Sequence, residues 1–133
     1  MGWLDRLDRC RRGAPSPRAL VVGAGVAGLT SALLLDARGI RTSVLERLPT
    51  RRARTRSVVL SDAELSGYDS IGLMGVILRA SSPFAHRVLD VGRGSPGRRP
   101  RIRAGARVLP HAELLEILEE EAESRWLPVE RGK

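Results

Sequence analysis

The chain has 133 residues, a length typical of one domain with a single hydrophobic core. Its hydrophobic share of 42% and charged share of 29% indicate a globular protein and exclude a disordered or fibrous one. The single cysteine, Cys10, excludes an internal disulfide framework and a zinc ribbon, so we predict a cytoplasmic protein with no metal site.

The net charge is +8, and every basic residue except Lys133 is an arginine. The arginines cluster within residues 47–56 and again within 98–107. Such clusters can bind phosphate on a nucleic acid or on a dinucleotide, although most of these side chains are expected to be solvated in loops. A basic nucleic acid-associated protein is therefore the weaker of the functional alternatives. An aromatic share of 3% also argues against a stacking platform for single strands.

In chain order, residues 1–18 form a basic extension that we place outside the core. Residues 19–35 carry no charge, yet this run is at the short limit for crossing a bilayer and contains three glycines, so we predict no membrane span. Residues 19–133 form the predicted domain.

A strand, a glycine turn, a helix and a second strand open this domain. The apolar run ALVV predicts a short, buried parallel strand, and a helix is predicted from Val26 to about Arg38. Gly39 takes the C-terminal cap position, and residues 40–46 form a strand rich in β-branched side chains. The pattern predicts a Rossmann-like α/β fold, with a βαβ unit and a parallel sheet.

The remaining elements are weaker in pattern. A capped short helix is predicted after the strand SVVL, with Ser61 as N-cap and Glu64 three residues on. Strands at 86–92 and 102–109 flank a hairpin loop. Pro110 opens a helix that ends near Trp126 and is followed by the start of another strand. The buried face of this helix is predicted to consist of Leu114, Leu115, Ile117, Leu118 and Ala122.

The motif GAGVAG lies at the first turn. Gly23 permits the tight turn, Gly25 lets the backbone approach a pyrophosphate, and Gly28 allows close packing of helix on strand. Glu46 follows Gly28 at close to the roughly 20 residues expected for an acid that binds ribose hydroxyls. The alternative to a nucleotide site is that these glycines serve only a tight turn. A carboxylate at Glu46 argues against a 2′-phosphate, whereas the adjacent Arg47 could accommodate one.

The stretch RALVVGAGVAGLTSALLLDARGIRTSVLER resembles the N-terminus of FAD-dependent aromatic hydroxylases and related flavoprotein monooxygenases and epoxidases, the group of p-hydroxybenzoate hydroxylase and squalene epoxidase. The segment VLPHAELLEILEEEAE resembles the R-x-x-L helix of the same group, with His111 in the place of the arginine. The resemblance spans about residues 18 to 130 and is most specific over the first 30.

The resemblance implies FAD as the cofactor. Glu46 would bind the adenosine ribose, and Arg47 with one of Arg54 or Arg56 would lie along the adenosine and diphosphate. His111 is either a weakened flavin contact or a surface residue at a helix start. The residues that would surround the pyrophosphate are Gly23, Gly25, Val26, Ala27 and Gly28.

The resemblance also implies an incomplete fold, because full members of the group are several times longer. We therefore assign no catalytic residue, and NADPH would be a co-substrate only of the complete enzyme. We expect an FAD-binding portion that needs a complementing chain or further sequence for activity. A stand-alone module or pseudoenzyme for the ADP half of FAD or NAD is the alternative. A truncated sheet would expose an edge that favours homo-oligomers.

Overall fold

The computed structural model describes residues 18–51, 55–88 and 101–133, with the backbone alone at 85–88 and 101–104. The described part contains, in chain order, β1 (Arg18–Val22), α1 (Val26–Asp36), β2 (Arg41–Glu46), β3 (Ser57–Leu60), α2 (Asp62–Asp69), α3 (Met74–Ala80), β4 (Ser82–Val88), β5 (Arg101–Pro110), α4 (His111–Ser124) and β6 (Val129–Arg131). These residues form two compact units, one of 18–51 and 118–133 and one of 55–88 and 101–117. The predicted extension lies outside the described residues except for Arg18.

The first unit confirms the predicted βαβ arrangement. Strand β1 pairs in parallel with β2, and β2 pairs in parallel with β6, so the order is β1-β2-β6. Helix α1 packs on β1 and β2, and its Leu29 and Leu33 are fully buried, as is Val44 on β2. The core of this unit therefore lies between α1 and one face of the sheet.

Helix α1 is rich in leucine and alanine, which favour helix, and it ends slightly before the predicted residue. Its C-cap is Ala37 rather than Gly39. Gly39 lies two residues further on with a φ of 76°, a conformation that glycine adopts without the steric cost paid by other residues. The N–H of Gly39 donates to the Asp36 carbonyl, so the chain turns at once into β2.

The expectation that the first strand is buried is wrong for one face of β1. The exposed fractions of Leu20 and Val22 are 58% and 82%. Alternate residues of a strand point to opposite faces, and only one face of β1 meets α1. In the described part of the chain β1 is also an edge strand of its sheet.

The second unit holds an antiparallel sheet in the order β3-β5-β4. The predicted strand pair is confirmed, although β4 begins at Ser82, before the expected residue 86. The hairpin loop between them lies outside the described residues. The capping box of α2 is confirmed, because the backbone N–H of Ser61 donates to the Glu64 carboxylate over 2.7 Å. Helix α3 is not predicted by the sequence pattern; Gly72, with a φ of 79°, separates it from α2.

Arg107 lies in the predicted strand, and unlike most residues expected of its cluster it is hydrogen-bonded to other parts of the chain. It lies on β5, and its Nε donates to the Ser81 hydroxyl over 3.0 Å. Its guanidinium also donates to the carbonyls of Leu78 and Ser81 over 2.8 and 2.6 Å. These carbonyls belong to the end of α3, where a helix lacks intrahelical donors. Arg107 therefore supplies hydrogen-bond donors to the carbonyls at the C-terminal end of α3.

Helix α4 begins at His111, since Pro110 is the last residue of β5. The predicted apolar face is confirmed, because all five of its residues are buried. The helix ends at Ser124, where the N–H of Leu127 donates to the Ala122 carbonyl and that of Trp126 to the Glu123 carbonyl. Within the described ranges, no helix is both long and apolar enough to cross a membrane.

Trp126 has a left-handed backbone conformation, which is unfavourable for residues other than glycine. Its φ is 56° and its exposed fraction is 84%, so little packing offsets the strain. We expect Trp126→Gly to be more stable than Trp126→Ala by about 1 kcal/mol, because only glycine relieves the left-handed strain. Urea unfolding of both variants and the wild type measures this difference. Equal stability of the two variants would contradict the expectation.

Candidate functional site

The glycine turn leaves β1 at Gly23, whose φ of 105° is open to glycine and strained for other residues. The N–H of Gly23 donates to the carbonyl of Leu45 on β2 over 2.7 Å. The turn is therefore held against the neighbouring strand where it begins.

Gly28 and Gly25 have opposite surroundings. A Cβ built on Gly28 would lie 1.9 Å from the carbonyl oxygen of Gly23, a distance that no side chain tolerates. A Cβ built on Gly25 meets no described atom within 4 Å. Gly28 thus lets α1 approach the end of β1, whereas the space beside Gly25 is open to a ligand.

The N-terminus of α1 presents donors to this open space. Gly25 is the N-cap in an extended conformation, and among the described residues no side chain caps the helix. The first turn contains no acidic residue, and Ala27 is exposed. The first N–H groups of a helix lack intrahelical acceptors, and the helix dipole is positive at this end. The arrangement suits an anion such as a phosphate.

Glu46 is the last residue of β2. Its carboxylate is hydrogen-bonded both to the glycine turn and to the loop that follows β2. One carboxylate oxygen accepts the N–H of Ala24 over 2.8 Å, and the other accepts the N–H of Leu48 over 2.9 Å. The bonds from Leu48 and Ala24 lower the pKa of the Glu46 carboxyl from 4.5, and the nearby charges of Arg131 and Arg47 lower it further against the opposing effect of burial. Glu46 is therefore an anionic acceptor at neutral pH.

The other predicted site residues are distributed between the two units. Arg47 is exposed beside Glu46, while Arg54 lies outside the described residues. Arg56 and His111 belong to the second unit, where the carbonyl of Arg56 accepts the N–H of His111 over 2.8 Å. The exposed fraction of His111 is 6%, so the interpretation of His111 as a surface residue is wrong. Its role as a flavin contact stays a prediction.

Sequence reasoning missed Arg131, which lies opposite Glu46, and the ion pairs in which it takes part. In the parallel pairing of β2 with β6, Glu46 lies opposite Arg131. Arg131 and Arg51 both form ion pairs with Glu119 on α4. No sequence signal identified them, because the register of β6 against β2 is a tertiary property. Among the described residues, no group of three or more His, Cys, Asp or Glu could hold a metal ion.

A family model with the description "FAD binding domain" matches residues 17–133. The chain belongs to this family. Its cofactor is FAD, and the described residues fit the cofactor: the helix end beside Gly25 is open to the pyrophosphate, and Glu46 can accept from the ribose.

Two curated relatives match part of this FAD-binding domain. A 3-(3-hydroxy-phenyl)propionate/3-hydroxycinnamic acid hydroxylase of Mycobacterium avium (strain 104) is 44% identical over 77 residues, which cover 53% of this chain and 13% of the relative. A hydroxyneurosporene desaturase of Rubrivivax gelatinosus is 40% identical over 57 residues, which cover 43% of this chain and 11% of the relative. The matched region thus occurs in relatives whose names describe different reactions.

A solved structure shares the fold over most of the chain. The flavin-dependent monooxygenase PieE, in complex with FAD and substrate, has a TM-score of 0.68 and 21% identity, and covers 90% of this chain and 24% of its own. The chain therefore spans less than a third of the length of each of these three proteins.

Alanine substitutions at the two glycines separate folding from binding. We expect Gly28→Ala to lower the free energy of unfolding by about 3 kcal/mol, because its Cβ collides with the Gly23 carbonyl. Gly25→Ala has open space and an ordinary φ, so it should cost about 1 kcal/mol or less as an N-cap change. Urea unfolding and calorimetry with ADP measure both effects. A Gly25→Ala variant that folds and still binds ADP like the wild type would contradict a ligand site there.

The Glu46 carboxylate also predicts a pH dependence. Its pKa is lower in the folded chain than in the unfolded one, so its stabilisation is present above about pH 4.5 and is lost as the pH falls through the folded value. The stability difference between wild type and Glu46→Gln should therefore shrink below pH 4.5. Thermal unfolding from pH 7 to pH 3 measures it, with Glu120→Gln at an exposed position as control. A constant difference over that range would refute the prediction.

Proposed function

We propose that this chain is the FAD-binding N-terminal portion of a flavin-dependent monooxygenase or epoxidase-type oxidoreductase, and that it holds the ADP moiety of the cofactor. The observation that carries the proposal is the hydrogen bond from the Ala24 N–H to the Glu46 carboxylate. Through it, the acceptor for the ribose and the donors at the start of α1 lie within one bonded turn. An ADP moiety needs these two groups side by side.

The backbone supplies the phosphate site in this proposal. The turn from Gly23 to Gly28 approaches the pyrophosphate, and the N–H groups of Val26 and Ala27 at the start of α1 face its charge. This binding requires no side chain. It therefore depends on the turn conformation that Gly23 and Gly28 permit.

Glu46 can still bind the ribose, although each of its carboxylate oxygens already accepts one hydrogen bond. Each oxygen of a carboxylate has two acceptor positions, and each uses one for an N–H group of the chain. The remaining positions accept the two ribose hydroxyls. Arg47, with one of Arg54 or Arg56, would lie along the adenosine and diphosphate, and His111 would contact the flavin.

The oxygen chemistry belongs to the bound flavin, and the protein orients the flavin and excludes water from it. These tasks, and the choice of substrate, we assign to the remainder of a protein of which this chain spans a minor part. The remainder could be continuous with residues 19–133 or supplied by a complementing chain or a second copy. NADPH would serve only that complete enzyme. We assign the protein to the cytoplasm because its sequence has one cysteine.

A stand-alone module for the ADP half of FAD or NAD is the second candidate. It is favoured by the position of the site, since the contacts of the glycine turn and Glu46 suit only the ADP moiety. The two candidates differ in whether the flavin adds affinity.

Calorimetry with FAD, ADP and FMN tests the proposal. We expect ADP and FAD to bind and FMN, which lacks the adenosine, to bind far more weakly. FAD that binds more tightly than ADP supports the flavoenzyme portion, and equal affinities support the module. Glu46→Gln should weaken ADP about tenfold or more, because a hydrogen-bond acceptor loses its charge. Glu120→Gln is the matched control.

Two outcomes would reject the site. Absence of ADP and FAD binding would refute both candidates, and binding of DNA or RNA with a steep salt dependence would then favour the nucleic acid alternative. FMN that binds as tightly as FAD would place recognition on the flavin instead of the ADP moiety.

A further inference from the structure

Arg131, which lies opposite Glu46, belongs to an ion cluster that neither the glycine motif nor the family resemblance accounts for. We call it the Glu119 cluster; it consists of Arg51, Glu119 and Arg131. One oxygen of Glu119 pairs with the guanidinium of Arg51 over 2.8 Å, and the other pairs with that of Arg131. One carboxylate of α4 therefore binds two arginines from different segments.

The side chains of the cluster are partly buried. The exposed fraction of the Glu119 side chain is 16%, and those of Arg51 and Arg131 are 38% and 28%. Ion pairs at such positions are less screened than fully exposed ones, and a carboxylate shared by two guanidiniums forms a network. Loss of the shared carboxylate would leave two arginines to find other partners.

Strand pairing brings one member of this cluster, Arg131, beside Glu46. Arg131 is the residue of β6 that lies opposite Glu46 of β2, and neighbouring strands lie about 4.8 Å apart. The N–H of Lys133 also donates to the Glu46 carbonyl over 3.2 Å. The charge of Arg131 acts on the Glu46 carboxylate, and in the structure its guanidinium pairs with Glu119.

We propose that Glu119 determines the specificity of the ribose site: by pairing with Arg131 it neutralises the positive charge opposite Glu46, so that the site accepts a 2′-hydroxyl and disfavours a 2′-phosphate. This inference rests on the proposed ADP site. A 2′-phosphate is recognised by arginine and repelled by carboxylate, so the balance of charge beside Glu46 decides between the two ligands. Such discrimination matters where nucleotides with a 2′-phosphate are abundant.

Removal of the Glu119 charge acts on the ligand in two ways. The net charge beside the ribose rises by one unit, which attracts a 2′-phosphate. Arg131 is also released next to Glu46, where it can bind the carboxylate that the ribose hydroxyls need. Both effects favour the phosphorylated ligand relative to the unphosphorylated one. Exposed Arg47 is unchanged in every variant, so its contribution cancels from the comparison.

The test compares ADP-ribose with 2′-phospho-ADP-ribose, which differ only at the 2′ position. For Glu119→Gln we expect the ratio of the two dissociation constants to shift toward the phosphorylated ligand on the order of tenfold. Glu120→Gln, the next residue on α4, changes the net charge equally and should leave the ratio unchanged. Glu119→Gln combined with Arg131→Gln should return the ratio toward the wild-type value.

A single Arg131→Gln variant tests the same inference if Glu119→Gln does not fold, as judged by circular dichroism. It should shift the ratio away from the phosphorylated ligand. Equal weakening of both ligands in Glu119→Gln, or an equal shift in Glu120→Gln, would overturn the inference while leaving the proposed function intact. If the wild-type chain shows no measurable binding of ADP-ribose or ADP, the proposed function is overturned, and this inference with it.

Discussion

The close approach of helix α1 to the carbonyl of Gly23 is the constraint on which the first unit depends. The chain must leave β1, reverse direction and start a helix within a few residues, and the helix must then lie flat on the strand that it left. A side chain at position 28 would occupy the space of the Gly23 carbonyl. Because that space is free, α1 buries Leu29 and Leu33 against the sheet and its N-terminus opens at the edge.

The same constraint determines the backbone of the proposed binding site. Gly25, the N-cap, has no side chain to cap the helix, and the space beside it is open. The first N–H groups of α1 lack intrahelical acceptors, and in the proposed site they donate to the phosphate. Glu46 accepts a hydrogen bond from the N–H of Ala24, and this bond fixes the position of its carboxylate relative to the turn. In the proposed site, main-chain geometry thus holds the phosphate donors and the sugar acceptor together.

Charge around this surface is balanced by a few long-range pairings. Arg131 is positioned opposite Glu46 by β6, and Glu119 on α4 binds both Arg131 and Arg51. Without Glu119, the charge of Arg131 opposite Glu46 would lack this partner. Arginines therefore have separate roles in this chain: Arg107 terminates α3, Arg131 belongs to the ion cluster, and Arg47 remains exposed beside the site.

The sequence by itself determined the βαβ order, the places of Gly23, Gly25 and Gly28, and the acid at Glu46. These features are readable because a tight turn, a helix start and a strand end are set by local sterics and by spacing along the chain. The antiparallel strand pair, the Ser61 capping box and the apolar face of α4 followed from equally local patterns.

Only the tertiary structure decided the environment of those residues. Exposure of Leu20 and Val22 depends on which elements cover the sheet, and burial of His111 depends on what packs around the start of α4. Helix α3 was missed because its C-terminus is completed by Arg107, which is remote in sequence. Likewise, the contact of Arg131 with Glu119 and its place opposite Glu46 follow from strand register, which joins distant segments and leaves no local periodicity to read.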